Sequence, residues 1–404
     1  MSKRIKSGNI IQVNHFQLKK IIKRAYYVKE PLFVQGAIGI GKSYVAREAG
    51  RELSQELSLE FIETKIPLRY PDRFCFVDIR IAQKDAGEII GLPDNYALVK
   101  DESGNIHLVP VKAAEVLAKL LLSNSSKSRI IDYITKWNRP PWMPIEGHGM
   151  IFLDEFNLAP PLVQNVMYEL INDRAFGDYI LPDGWLVVGA GNRGYIDGAP
   201  TFDFGDPLND RFSWYELQIP TVEDWTEWAF KHGIDHRIIG FLQTKRSALY
   251  THKPDLKEKA FATPRSWEHV SNLIKGVDDI DEIYLYASGR VGTYVAGEFK
   301  SFLEASKRLP PIDLYFTKPD KAPIPDDLDL LFTLCTNLAD YYIHHKEYES
   351  LRCIVRFALR LTAEFTQFLL KMVKSIDQRF FVENTMRMPE ITKLKEKLGP
   401  YLID

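Results

Sequence analysis

Residues 31–43, PLFVQGAIGIGKS, carry four side chains whose types and spacing suit phosphate binding: Gly36, Gly41, Lys42 and Ser43 fit the pattern G-x-x-x-x-G-K-[ST]. Over Gly36, Ala37, Ile38, Gly39, Ile40 and Gly41 the backbone N–H groups can curl around an anion, and Tyr44 follows in the next turn. Lys42 is placed to reach the β and γ phosphates of a nucleotide such as ATP. Ser43 is placed to set its hydroxyl on Mg2+, an ion that takes few protein oxygens beside water and phosphate. A second cluster closes residues 149–155, GMIFLDE, where an apolar run ends in two adjacent acids. Downstream of a phosphate loop such a pair divides the work: Asp154 holds the metal through water, and Glu155 polarises the attacking water. Asn192, ending the apolar run WLVVGAG, has an amide suited to hold that water or the γ phosphate, or else to shape a Gly-Asn-Arg-Gly turn. Arg211, in LNDRF, offers an always-charged fork for developing phosphoryl charge, with a structural salt bridge as the alternative. Arg265, in ATPRSW, is either a phosphate contact or a solvated arginine at a helix start.

These residues need particular supports. Leu32, Phe33 and Val34 make a strand-length apolar run into the loop, and Val45, Ala49, Leu53 and Leu57 recur at helical spacing after it. The anion would therefore meet a helix N-terminus, whose N–H groups and dipole favour negative charge. Residues 59–66 and 75–81 read as further strands, Pro160 and Pro161 open a helix, and FGDYILPDGW supplies a hairpin before WLVVGAGN. An α/β core, a parallel sheet sandwiched by helices, is the expectation for residues 1–220. Inside it, residues 89–110 read as a projecting hairpin that turns at 101–105. Residues 111–138 read as an insertion of no assigned task, opening on an amphipathic helix over 111–122. Thr221, with Asp224 three residues on, opens an α-helical lid over 221–277. Within it Thr263 as N-cap and Pro264 as first helical residue place Arg265 in the first turn, over a face of Trp267, Val270 and Ile274. Residues 278–404 read as a helical C-terminal region, broken by the proline-rich LPPIDLYFTKPDKAPIPDD and carrying no catalytic constellation.

The chain's 404 residues, 45% hydrophobic and 26% charged, allow two or three domains of ordinary globular composition. A formal charge of −2 gives no global attraction to nucleic acid or anionic lipid. The basic stretch over residues 1–30, with a helix expected at 16–26, reads as a solvated face. No apolar run reaches the roughly 18 residues of a membrane span, and MSKRIKSGNIIQVNHF lacks a signal-peptide core, so a cytoplasmic location is expected. Cys75, Cys335 and Cys353 have neither disulfide-framework nor metal-ligand spacing and read as buried thiols.

With the phosphate loop, LDE, GAGN, NDRF and TPRSW in this order, the chain resembles the AAA+ ATPases and, within them, the MoxR group. The run IFLDEFNLAPPLVQNVMYELINDRAFGDYILPDGWLVVGAGN is similar to MoxR-like members encoded beside proteins with a von Willebrand factor type A domain. The resemblance covers roughly residues 30–275 well and two later segments more weakly. It implies an AAA+ P-loop core with a helical lid, and ATP hydrolysis with Mg2+. It also implies a homo-oligomeric ring, expected as a hexamer, that remodels or activates a protein partner, above all a von Willebrand factor type A protein. Residue by residue it puts Lys42 and Ser43 on phosphate and metal, Asp154 and Glu155 on metal and water, and Asn192 as first sensor. Arg211 becomes a finger reaching into the neighbouring subunit, and Arg265 the second sensor. A nucleic-acid motor of the restriction or helicase kind is the rival, and would need a basic, aromatic-lined channel. Leu158 stands where the relatives' DE-x-N-R sequence has arginine, so that arginine's role is absent or moved to Arg174 or Arg193.

Overall fold

Seven of the chain's short apolar runs line up as one parallel sheet. The computed structural model describes residues 10–100, 103–111, 129–177, 179–198, 200–202, 204–256 and 258–399. Its packing divides into two units, Met1–Ala37 with Lys42–Gln218, and Ile38–Gly41 with Ile219–Asp404.

In the first unit the strands are β1 (Ile11–Val13), β2 (Leu32–Gly36), β3 (Glu60–Glu63), β4 (Arg73–Arg80), β5 (Pro93–Lys100), β6 (Ile106–Pro110), β7 (Arg129–Trp137), β8 (His148–Asp154), β9 (Ala175–Phe176), β10 (Tyr179–Ile180), β11 (Trp185–Gly191) and β12 (Ser213–Leu217). The main sheet runs β1-β12-β2-β11-β8-β4-β3, every pair parallel. Parallel strands covered on both faces are apolar throughout rather than alternating. The buried runs of β2, β8 and β11 follow that rule. Helices α1 (His15–Val28), α2 (Lys42–Glu56), α3 (Ala86–Ile90) and α4 (Pro161–Asn172) accompany the sheet. The first runs past the expected 16–26: Asn14 and Gln17 form a capping box at its start, and Lys29, in the left-handed conformation, closes it after Val28. It is tied to α2 by Lys19 and Lys23, which pair with Glu52 and Glu56.

The projecting hairpin is there, with two corrections. Ile89 is buried in α3, so the hairpin begins at Pro93 and pairs β5 with β6 from Lys100↔Ile106 to Tyr96↔Pro110. The expected insertion is not separate from it: β7 lies along the other edge of β5, from Pro93↔Trp137 to Lys100↔Arg129. A lone hairpin leaves a row of unpaired backbone groups on β5, and β7 satisfies them. The helix expected over 111–122 falls almost wholly on residues 112–128, outside the described residues.

The second unit is helical among its described residues. The first unit also holds α5 (Asp206–Asn209), just before β12; the second has α6 (Val222–Lys231), α7 (His236–Thr244), α8 (Pro264–Ile274), α9 (Ile280–Val291), α10 (Thr293–Ser306), α11 (Asp313–Thr317), α12 (Leu328–His344), α13 (Tyr348–Ala358), α14 (Ala363–Ile376), α15 (Gln378–Thr385) and α16 (Ile391–Leu398). Thr221 caps α6 through the N–H of Asp224, and Thr263 caps α8 in a capping box with Pro264 at the first position. The helices expected as lid and those expected as C-terminal region share one hydrophobic core: α6 packs on α14 and α7 on α12. No helix among the described residues is long and apolar enough to cross a membrane.

Candidate active site

Gly36 ends β2, and the chain then turns through Gly39 (φ 71°) and Gly41 (φ 95°), left-handed values that suit glycine. Helix α2 starts at once with Lys42, and no acid in its first turn competes for an anion at that end. The Lys42 ammonium folds back over the loop. Its Nζ donates to the carbonyls of Gly36 (2.8 Å) and Ala37 (3.0 Å) and to Oδ1 of Asn192 (3.4 Å), just past the end of β11.

Strand β8 stays apolar until Asp154, whose Oδ1 accepts from the N–H of Glu155 at 3.0 Å. Glu155 has φ 55° and ψ 33°, a left-handed conformation uncommon for a residue with a side chain. The next residue anchors the turn. Phe156 is fully buried, its ring 5.0 Å from that of Phe204 and 6.1 Å from that of Phe212. Burying a phenylalanine contributes about 1.5–3 kcal/mol, enough to offset the roughly 1–2 kcal/mol that one left-handed residue costs. Asn157 follows, bonded through its side chain to the backbone of Asn192.

Asp78, on the neighbouring β4, adds a third acid. Its strand pairs with β8 so that Asp78 lies opposite Phe152 and Arg80 opposite Asp154. Arg47 of α2 donates to its Oδ2 at 2.6 Å, while Oδ1 is buried with no hydrogen-bond partner among the described residues. Burial, and then the charge of Asp154, push the Asp78 carboxyl above its ordinary value against the pull of Arg47 and Arg80. Asn157 stands at the asparagine of the DE-x-N-R pattern, but nothing local marks its bonding to Asn192; Asp78 is marked by nothing local, because its neighbours come from α2 and β8.

The remaining arginines separate by sheet edge. Arg174 donates to the carbonyls of Pro182 and Trp185 (2.9 Å each), at the start of β11, so it braces the edge away from the loop. Arg193 pairs with Asp197 (2.6 Å) and approaches Glu216 (3.7 Å), which accepts from Gln35 (3.0 Å), the residue before Gly36. Of the two, Arg193 is the one on the loop's edge. Arg211 precedes β12, whose Ser213 lies opposite Leu32 and whose Leu217 lies opposite Gly36. It therefore sits at the strand-start edge, about 13 Å of strand from the loop at about 3.3 Å per residue. Its guanidinium, 38% exposed, donates to the side chains of Asn172 and Asp210.

In the second unit, which includes the loop tip, the N–H of Arg265 donates to the carbonyl of Gly39 at 3.2 Å. Thr263 Oγ1 fills the space that a side chain on Gly39 would need, 2.6 Å from its Cβ. These contacts are made by backbone and cap; the Arg265 side chain is exposed. The structure thus joins Lys42, Asn192 and the Asp154–Glu155 turn and sets Arg211 at the opposite edge.

No family model and no curated protein sequence matches the chain. Similar solved structures include the RuvB Holliday junction branch migration motor of Thermotoga maritima, at 13% identity over 94% of this chain and 90% of that one, TM-score 0.29. A RuvB mutant of the same organism has 14% identity over 72% and 69%, TM-score 0.30. NtrX of Brucella abortus in complex with ATP has 13% over 96% and 69%, TM-score 0.29. The chain's own fold is a parallel α/β core with a glycine loop between β2 and α2, followed by a helical unit.

Proposed function

We propose that this chain is a magnesium-dependent ATP hydrolase of the AAA+ type. The observation that carries the reading is Lys42, bonded both to the carbonyls of the glycine loop and to Asn192. That bonding gathers a cation, a phosphate-sized loop and a polar amide on the sheet edge where Asp154 and Glu155 emerge. The residues suit Mg2+: the Ser43 hydroxyl in the first turn of α2 and the Asp154 carboxylate, both half-buried, are the sparse oxygen set this ion takes. Bound there, Mg2+ would neutralise phosphate charge and orient the phosphates.

The chain's own residues do the rest. The loop's N–H groups and the Lys42 ammonium hold the phosphates. Glu155, aimed by its left-handed turn, draws a proton from the attacking water, and Asn192 orients that water. Arg211 lies too far along the sheet to serve its own loop, so it serves a neighbour's. That makes the working form a head-to-tail assembly, a ring expected as a hexamer. The motif order shared with the MoxR group supports the finer reading: a cytoplasmic machine that remodels or activates a protein partner, a von Willebrand factor type A protein, with Arg265 as second sensor.

The test is nucleotide binding and Mg2+-dependent ATP hydrolysis by the purified chain, its Lys42→Ala variant and its Glu155→Gln variant. Wild type should hydrolyse ATP, Lys42→Ala should lose binding, and Glu155→Gln should bind without turnover, because an amide keeps the shape and loses the base. A wild type without turnover, or a Glu155→Gln variant turning over at the wild-type rate, overturns the assignment.

A further inference from the structure

We infer that Asn157 is a positioning residue that fixes the spacing between the acid turn and the end of β11. The inference rests on the hydrolase reading. Its side-chain amide uses both of its ends on a single residue: Nδ2 donates to the carbonyl of Asn192 at 2.7 Å, and Oδ1 accepts from the N–H of Asn192 at 3.3 Å. Backbone pairing between β8 and β11 stops at Leu153↔Gly189. Beyond that point the strands carrying Glu155 and Asn192 have no further rung between them, and the Asn157 amide, shaped like a peptide group, supplies one. Its own carbonyl accepts from the N–H of Phe202 at 2.9 Å, which holds the residue from its other side.

The neighbouring glycine is fitted to this contact. A Cβ on Gly191 would lie 2.3 Å from Oδ1 and 2.6 Å from Cγ of Asn157, and 2.8 Å from Cζ of Phe33, so the amide and that ring together occupy the room that a side chain at 191 would take. Chemistry then limits what can stand at 157. An ionised aspartate accepts the Asn192 N–H but cannot donate to its carbonyl, and alanine does neither. With Phe156 buried between them, Glu155 and Asn157 move as one turn, so a shift at Asn157 reaches the base two residues away.

The experiment compares wild type, Asn157→Ala, Asn157→Asp, Gly191→Ala and the Asn157→Ala/Gly191→Ala pair. It reads kcat and KM for Mg·ATP, the affinity for a non-hydrolysable ATP analogue, and Tm. An error near 1 Å in placing a catalytic group costs up to about 100-fold. Asn157→Ala should therefore lower kcat about 30- to 100-fold, with KM and analogue affinity within about threefold of wild type. Asn157→Asp, nearly isosteric and so the variant surest to fold, should fall between. Gly191→Ala should give at least the same loss, since it fills the slot and also presses on Phe33, and the pair should be no worse than Gly191→Ala alone, because the Asn157 contact is already gone there. Unchanged kcat in Asn157→Ala and Asn157→Asp, losses in kcat that track equal losses in Tm and affinity, or single-variant losses that multiply in the pair each overturn the inference. Wild-type turnover abolished by Glu155→Gln but untouched by Asn157→Ala defeats the inference alone; no turnover in wild type defeats the hydrolase reading.

Discussion

Asp78 shows how a single carboxylate near the site is held at a cost. Burial and the nearby charge of Asp154 raise its pKa in the fold, so the folded chain holds that proton more tightly than the unfolded chain does. Stability from this group is therefore fully present below the unfolded value of about 3.9 and is lost as pH rises through the raised folded value. Asn at the same place does not titrate. In thermal unfolding of the nucleotide-free protein, the Tm of Asp78→Asn minus that of wild type should grow from pH 3 to pH 7. Whatever the constant contribution of the bond to Arg47, the slope has this sign; a difference that shrinks with pH would show that Arg47 outweighs burial.

At the scale of elements, the β5–β6–β7 sheet leaves and rejoins the core at one place, because the N–H of Asn138 donates to the carbonyl of Leu92 at 2.8 Å. Replacing residues 93–137 by a short Gly/Ser link should leave the parallel sheet folded and basal ATP hydrolysis within about twofold, since a short surface loop closes at small entropic cost. If this projecting sheet is where the proposed protein partner is handled, the same excision abolishes stimulation by that partner, measured as ATPase activity with and without it. Loss of basal hydrolysis would make the small sheet part of the catalytic core. What was legible beforehand follows the range of the interactions. The glycine loop before α2, the acid pair closing β8 and the caps at Thr221 and Thr263 are written within a few residues each, and all lie at the element ends where the sequence puts them. The pairing of β7 with β5 joins residues 29 to 44 apart, from Lys100↔Arg129 to Pro93↔Trp137, and no local pattern announces it. The bond of Asn157 escaped for the same reason, since its partner lies 35 residues on. The sheet edge of Arg211 could be read only once the register of β12 on β2 was known.

For the molecule as a whole, the proposal that Arg211 serves a neighbour's loop decides whether one chain suffices. Loss of an arginine finger costs about 10³- to 10⁵-fold in turnover, far above the 1 kcal/mol or so of a surface salt bridge. Arg211→Ala should accordingly bind ATP almost normally and hydrolyse it hardly at all. Mixing it with Lys42→Ala subunits should restore part of the activity, because one kind keeps a sound loop and the other its arginine. If subunits demonstrably exchange and the mixture stays inactive at every ratio, Arg211 does not act across an interface. On that proposal, the opposed placement of loop and arginine gives every chain a direction, with a receiving edge at the strand ends and a giving edge at the strand starts. Same-direction contacts of this kind either close on themselves or leave loose ends. Any open run of subunits then keeps one loop unserved at its head and one arginine idle at its tail. Two chains fused in tandem, and kept from joining other pairs, should turn over ATP at one loop in two, and disabling the loop at either position should give different results: silence for one, no change for the other.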